Sequence, residues 1–124
     1  MKKFLTIIII IAFIGLFFIL TRPPKINNSS NAQIILYYGS ECPHCHVVLD
    51  YISSNEIDKT IKIDSKEVYH NNTNQTEMVK LAQVCPEIVD SSGNIGVPLA
   101  FFIKDQKCIL GDQPIIDKIK EMLK

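Results

Sequence analysis

Five apolar residues in a row, Ile34-Ile35-Leu36-Tyr37-Tyr38, run into the turn Gly39-Ser40-Glu41 and then into Cys42-Pro43-His44-Cys45. This junction constrains the fold more than any other stretch. The apolar run reads as a strand, and Val48, Leu49 and Ile52 continue at helical spacing beyond the cysteines, so a helix starts at the tetrad. Pro43 suits the first helical position, where the N–H it lacks would go unpaired anyway. Cys42 then sits at the helix N-terminus, where unpaired N–H groups and the positive end of the helix dipole lower a thiol pKa. Cys42 is therefore the candidate nucleophilic thiolate, and Cys45, one turn further in, the candidate resolving thiol. A strand, a turn and a Cys-x-x-Cys at a helix start point to thiol-disulfide exchange.

The remaining elements follow from pattern. Strand 34–38 and helix 43–54 are followed by a strand over 60–64, extending toward Tyr69, where Ile61 and Ile63 alternate with Lys62 and Asp64. A helix over 75–85 has Met78, Leu81, Ala82 and Cys85 on one face, with Thr73-Asn74 as its capping region. Strands over 99–103 and 107–110 flank the turn Lys104-Asp105-Gln106-Lys107. Asp112 caps a last helix over 113–123, with Pro114 in its first turn and Ile115, Ile116, Ile119, Met122 and Leu123 as its apolar face. The order is βαβαββα. No internal repeat is visible.

Two motifs about fifty residues apart, Cys42-Pro43-His44-Cys45 and Gly96-Val97-Pro98 before Leu99-Ala100-Phe101-Phe102-Ile103, make residues 33–124 resemble the thioredoxin superfamily. The tetrad, with Val before the proline, is similar to the DsbA-type periplasmic oxidases. The short chain and Gly111-Asp112 are more similar to glutaredoxins. The resemblance implies a minimal thioredoxin/glutaredoxin-like α/β fold with a central mixed four-stranded sheet flanked by helices. It implies that Pro98 is a cis-proline beside the cysteine pair and that Val97 meets substrate through its backbone, giving broad specificity. No cofactor is implied. Thioredoxins carry a buried Asp six residues before the first Cys, where this chain has Leu36, and a Trp directly before it, where this chain has Glu41. Both departures weaken a thioredoxin-type reductase reading without choosing between oxidase and reductase.

His44 lies between the two cysteines, where a donor or a charge favours the Cys42 thiolate over the disulfide and makes the pair a stronger oxidant. The plainer alternative is an exposed helical residue. His46 reads as an exposed neighbour and His70 as a loop residue. Cys85 and Cys108 both fall at the end of the expected topology opposite Cys42. A structural disulfide, a second exchange pair or two buried thiols are all open; a bond closing this loop would add about 3 kcal/mol to a small domain. Cys42-Pro43-His44-Cys45-His46 also matches the haem-attachment pattern Cys-x-x-Cys-His, but a cytochrome would want a helical chain with a distal Met. A zinc site from the four cysteines lacks a second Cys-x-x-Cys or a His pair, so no metal is expected.

Ahead of this domain, Met1-Lys2-Lys3 precedes an apolar stretch from Phe4 to Leu20 broken only by Thr6 and Gly15. At ~1.5 Å per residue this is a helix of about 26 Å, near the short end of a bilayer span. A cleaved signal peptide is the competing reading, but its apolar core is normally ~7–15 residues, and Ser30-Asn31-Ala32 lies too far on to be its cleavage site. The reading is one N-terminal transmembrane helix in 1–21, a polar linker over 22–32 and the thioredoxin-like domain over 33–124. Lys2 and Lys3 ahead of the helix, against Arg22 and Lys25 after it, weakly favour a cytoplasmic N-terminus and place the domain outside the cytoplasm. Four cysteines in a small domain suit an oxidising compartment. Asn-x-Ser/Thr sequons at Asn27, Asn28, Asn71 and Asn74 are unremarkable in so Asn-rich a chain.

Overall neutrality hides an asymmetry. Four of the thirteen basic residues lie within the first 25 residues and all thirteen acidic ones from Glu41 onward, leaving the domain with nine basic and thirteen acidic residues, a net charge of −4. That argues against nucleic acid as a partner. The expected partners are protein thiols and disulfides as substrates and an unidentified membrane or soluble redox partner, with the protein a monomer. A glutaredoxin-like reductase or isomerase, or a non-catalytic thioredoxin-like module binding a partner or a metal, are the alternatives.

Overall fold

The computed structural model of the chain describes residues 2–21 and 31–124. Most of the linker expected over 22–32, with the sequons at Asn27 and Asn28, lies outside the described residues. After an N-terminal helix α1 (Lys2–Leu20), the elements run β1 (Ile34–Tyr38), α2 (Pro43–Ser54), β2 (Ile63–Glu67), α3 (Asn72–Lys80), β3 (Leu99–Phe102), β4 (Lys107–Leu110) and α4 (Asp112–Met122). The strands form one mixed sheet in the order β2-β1-β3-β4. β1 pairs parallel with β2 and antiparallel with β3, and β3 antiparallel with β4. This α/β arrangement is compatible with a thioredoxin-like fold.

The central position of β1 explains its composition. Ile34 and Leu36 enter one core with Val48, Phe102, Ile115 and Ile119, so α2 and α4 share that face of the sheet. Ile35 and Tyr37 enter a second core with Met78, Leu81, Phe101 and Cys108 on the α3 side. A strand covered on both faces has no solvent side to supply with polar residues, and the same holds for Leu99-Ala100-Phe101-Phe102 in β3. The edge strands β2 and β4 carry the charges. Within the α3-side core one polar group is buried: the Glu77 carboxylate accepts from the Tyr37 hydroxyl at 2.8 Å and pairs with the Lys66 ammonium. Burial, then the bond to Glu77, pushes the Tyr37 hydroxyl pKa up, so it remains a donor. Satisfied in this way, the carboxylate pins α3 to β1 and β2 rather than leaving a costly buried charge.

Several expectations shift. The third segment is not a strand over 60–64: Ile57–Lys59 is a 3-10 turn, Ile61 is buried ahead of the strand, and β2 starts at Ile63. Gln33 and Lys62 set that start, since the Gln33 N–H bonds the Lys62 carbonyl at 2.7 Å and the Gln33 side chain accepts the Lys62 N–H at 3.0 Å. α3 begins at Asn72, because the Asn71 side chain accepts the N–H groups of Thr73 and Asn74 as a cap, and a 3-10 turn at Leu81–Gln83 ends it early. α4 is capped at Gly111 rather than Asp112, with Gly111 at φ 90°.

The expected transmembrane helix also requires correction. Among the described residues no helix is long and apolar enough to cross a membrane. α1 is nonetheless a helix of 19 residues, and Phe4, Phe13, Phe17, Phe18 and Leu20 on it are exposed. The apolar run within it, about 26 Å at ~1.5 Å per residue, stands at the short end of what a bilayer span requires.

Candidate functional site

The C-terminal end of β1 delivers the chain to the site. The Cys42 N–H bonds the Gly39 carbonyl at 3.2 Å, closing the turn, and the Cys42 backbone (φ −89°, ψ 112°) is extended, as an N-cap requires. Pro43 takes the first helical position and so leaves no N–H unpaired. The Cys42 sulfur does what a capping oxygen would do elsewhere, accepting the Cys45 N–H at 3.2 Å. Cys42 and Cys45 are joined as a disulfide with Cα atoms 5.2 Å apart. Cys42 keeps 7% of its surface exposed and Cys45 none, so an incoming thiol meets Cys42. The Gly39 N–H points at the Cys45 sulfur at 3.5 Å.

Across the pair lies the 96–98 segment. The Val97–Pro98 peptide bond is cis, Pro98 is buried, and the Val97 carbonyl oxygen lies 3.7 Å from the Cys42 sulfur. The Pro98 carbonyl accepts the Gly111 N–H at 3.0 Å, which ties this segment to the start of α4.

No family model and no curated protein matches this chain.

Around the pair sit all three histidines. His44 Nδ1 lies 2.9 Å from Asp112 Oδ2. His46 Nε2 donates to the Ser40 carbonyl at 2.8 Å. His70 Nε2 lies 2.7 Å from Glu41 Oε1. The bond from His44, then the Gln113 N–H, lowers the Asp112 pKa, and the bond from His70, then the Ser40 hydroxyl, lowers that of Glu41. The Glu67 carboxylate gathers the rim, accepting the N–H groups of Tyr69 at 2.7 Å, His70 at 2.9 Å and Ser40 at 3.4 Å. Partial desolvation opposes these bonds, yet they leave its pKa lowered.

Sequence reasoning placed Cys42, Pro43, His44, Cys45, Val97 and Pro98 at the site, and the structure brings these six together. Cys85 and Cys108 lie apart from them, bonded to each other in the α3-side core with Cα atoms 6.1 Å apart. The four cysteines therefore form two separate pairs rather than one cluster, and among the described residues no group of three or more ligating side chains converges as a metal site. Sequence reasoning missed Asp112 as a partner of His44, Glu67 as the centre of the rim, and Gly39. A Cβ built on Gly39 would overlap the Tyr69 ring, so a larger residue there would have to push that exposed side chain aside. The turn residues around Gly39 were the only local signal for it.

The arrangement supports one chemistry directly. An accessible sulfur held at a helix N-terminus is stabilised as a thiolate when released, and a buried sulfur beside it can close or reopen the bond.

Proposed function

We propose that the chain is a thioredoxin-like thiol-disulfide oxidoreductase, tethered to a membrane through α1 and acting on protein substrates outside the cytoplasm. One observation carries the redox reading: the Cys42 sulfur accepts the Cys45 N–H at the start of α2. That bond, and the helix dipole behind it, favour a Cys42 thiolate, and stabilising the reduced form makes the pair oxidising. Protein dithiols are then the preferred substrates. A substrate thiolate attacks Cys42, the Cys42–Cys45 bond breaks, and the electron pair goes to Cys45 beside the Gly39 N–H. The second substrate thiol then attacks the mixed disulfide and Cys42 leaves as thiolate. The substrate loses two electrons and gains a disulfide. The Val97 carbonyl beside Cys42 supplies a backbone acceptor for an extended substrate segment, which supports recognition by main chain.

The tether rests on α1, whose large apolar side chains are exposed along the helix and call for cover by something other than water. A second disulfide between Cys85 and Cys108 suits an oxidising compartment.

In the full chain carrying Cys45→Ser, alkylation rate against pH should give a Cys42 pKa clearly below the ~8.5 of a free cysteine. The wild-type pair, equilibrated with glutathione, should show a potential more oxidising than about −200 mV, and it should oxidise a reduced, unfolded protein. A Cys42 that titrates as an ordinary thiol, with no turnover, overturns the reading. A potential near the −270 mV typical of thioredoxin reverses its direction to reduction.

A further inference from the structure

The last helix contributes a side chain to the cysteine pair that the exchange chemistry above does not use. Asp112 Oδ2 sits 2.9 Å from His44 Nδ1, although the two residues are 68 apart in sequence. The other carboxylate oxygen, Oδ1, accepts the N–H of Gln113 at 2.8 Å, so the carboxylate is held from both sides. Gly111, the preceding residue, donates to the Pro98 carbonyl. The same corner of α4 thus fixes both the segment carrying Val97 and the histidine lying between the cysteines.

An ionised carboxylate only accepts hydrogen bonds, so the proton in this contact belongs to His44 Nδ1. In the neutral ring the lone pair then lies on Nε2. The neighbouring histidines are otherwise engaged: His46 by the Ser40 carbonyl and His70 by Glu41. Asp112 from α4 is the charged group in contact with His44; along the chain its titratable neighbours are Glu41 and Cys42 ahead of α2 and Cys45 and His46 within it, and His70 is bound to Glu41. The 96–98 segment adds none.

Resting on the reading of Cys42–Cys45 as an exchange site, we propose that Asp112 is a positioning residue: it fixes His44 as the Nδ1–H tautomer, so that Nε2 accepts the proton of the thiol entering at Cys42. The step balances. The entering thiol gives its proton to Nε2 and its sulfur bonds to the Cys42 sulfur. The Cys42–Cys45 bond breaks with its electron pair on Cys45, and the histidine, with its side chain 74% exposed, returns the proton to solvent. A carboxylate that orients a histidine for an attacking nucleophile is a general device, and it acts through the histidine alone.

The full chain in detergent is tested with dithiothreitol as the attacking thiol, following reduction of Cys42–Cys45 between pH 5 and 9. Asp112→Asn should slow the reduction by about tenfold below the pH at which the entering thiol ionises by itself. Asp112→Glu should recover most of the rate. In a His44→Gln background Asp112→Asn should change nothing further. Nitrogen-15 shifts of the His44 ring should report the Nδ1–H tautomer in the wild type and a shift toward Nε2–H in Asp112→Asn. An exposed pair contributes little to stability, so melting temperatures should stay together across these variants. Equal slowing by Asp112→Asn with and without His44, or an unchanged rate with His44 present, overturns the proposal. The exchange reading itself fails in a different way: the wild-type bond would then resist dithiothreitol altogether.

Discussion

His44, His46 and His70 are each held by an oxygen at the rim of the cysteine pair, and their partners come from α4, the β1–α2 turn and Glu41. The His70–Glu41 contact carries a pH dependence of defined sign. The bond with Glu41 raises the His70 pKa, so this contribution is fully present below the unfolded value of ~6.5 and fades as pH climbs through the raised folded value. The same bond lowers the Glu41 pKa, so its part is present above ~4.3 and fades as pH falls through the lowered value. The contact is therefore intact between these limits. A proton NMR titration should find the His70 midpoint above ~6.5 in the wild type and back near ~6.5 in Glu41→Gln. The same midpoint in both proteins would mean that the contact does not form in solution. At this scale the sequence was only half legible. Cys42 and Pro43 announce a helix N-terminus by their own chemistry, whereas no local pattern links His44 to Asp112, because only the completed sheet brings α2 and α4 side by side.

Among the elements, the segment between α3 and β3 depends most on a single covalent tie. Cys85 opens a short 3-10 turn, a bridge between Val89 and Ile95 follows, and the chain then passes Val97–Pro98 into β3. Its bond to Cys108 fastens the start of this excursion to edge strand β4. With 23 residues of separation, removing both cysteines should cost about 3 kcal/mol of stability in the chain-entropy treatment. Chemical denaturation of the Cys85→Ala/Cys108→Ala variant measures this, and exchange through Cys42–Cys45 should stay nearly intact. A variant that kept full stability but lost turnover would instead make the second pair a relay of electrons. Elements whose cause is local were readable: β1 from its unbroken apolar run, α2 from Pro43 and the spacing of Val48, Leu49 and Ile52. β2 was displaced because Ile61 and Ile63 alternate convincingly on their own. Only pairing with Gln33 decides where the strand begins, and that contact spans 29 residues.

For the molecule as a whole, the proposed tether sets the testable behaviour. The full chain should remain with membranes through an alkaline carbonate wash and come away only in detergent. After reduction, a membrane-impermeant maleimide should label Cys42 in intact cells. Labelling that required permeabilisation would place the domain on the other side, and release by carbonate would remove the tether altogether. β1 adds a consequence of its own. It enters at Ile34, directly after the lead-in residues 31–33, and leaves at Tyr38 toward Cys42. Five residues at ~3.3 Å each carry the chain about 16 Å from one pole of the domain to the other. Strand polarity thus acts as a compass: Cys42 is carried to the end of the sheet opposite the one at which β1 begins. Any partner exchanging with Cys42 therefore has to approach the domain from the end of β1 that its N-terminal lead-in does not occupy.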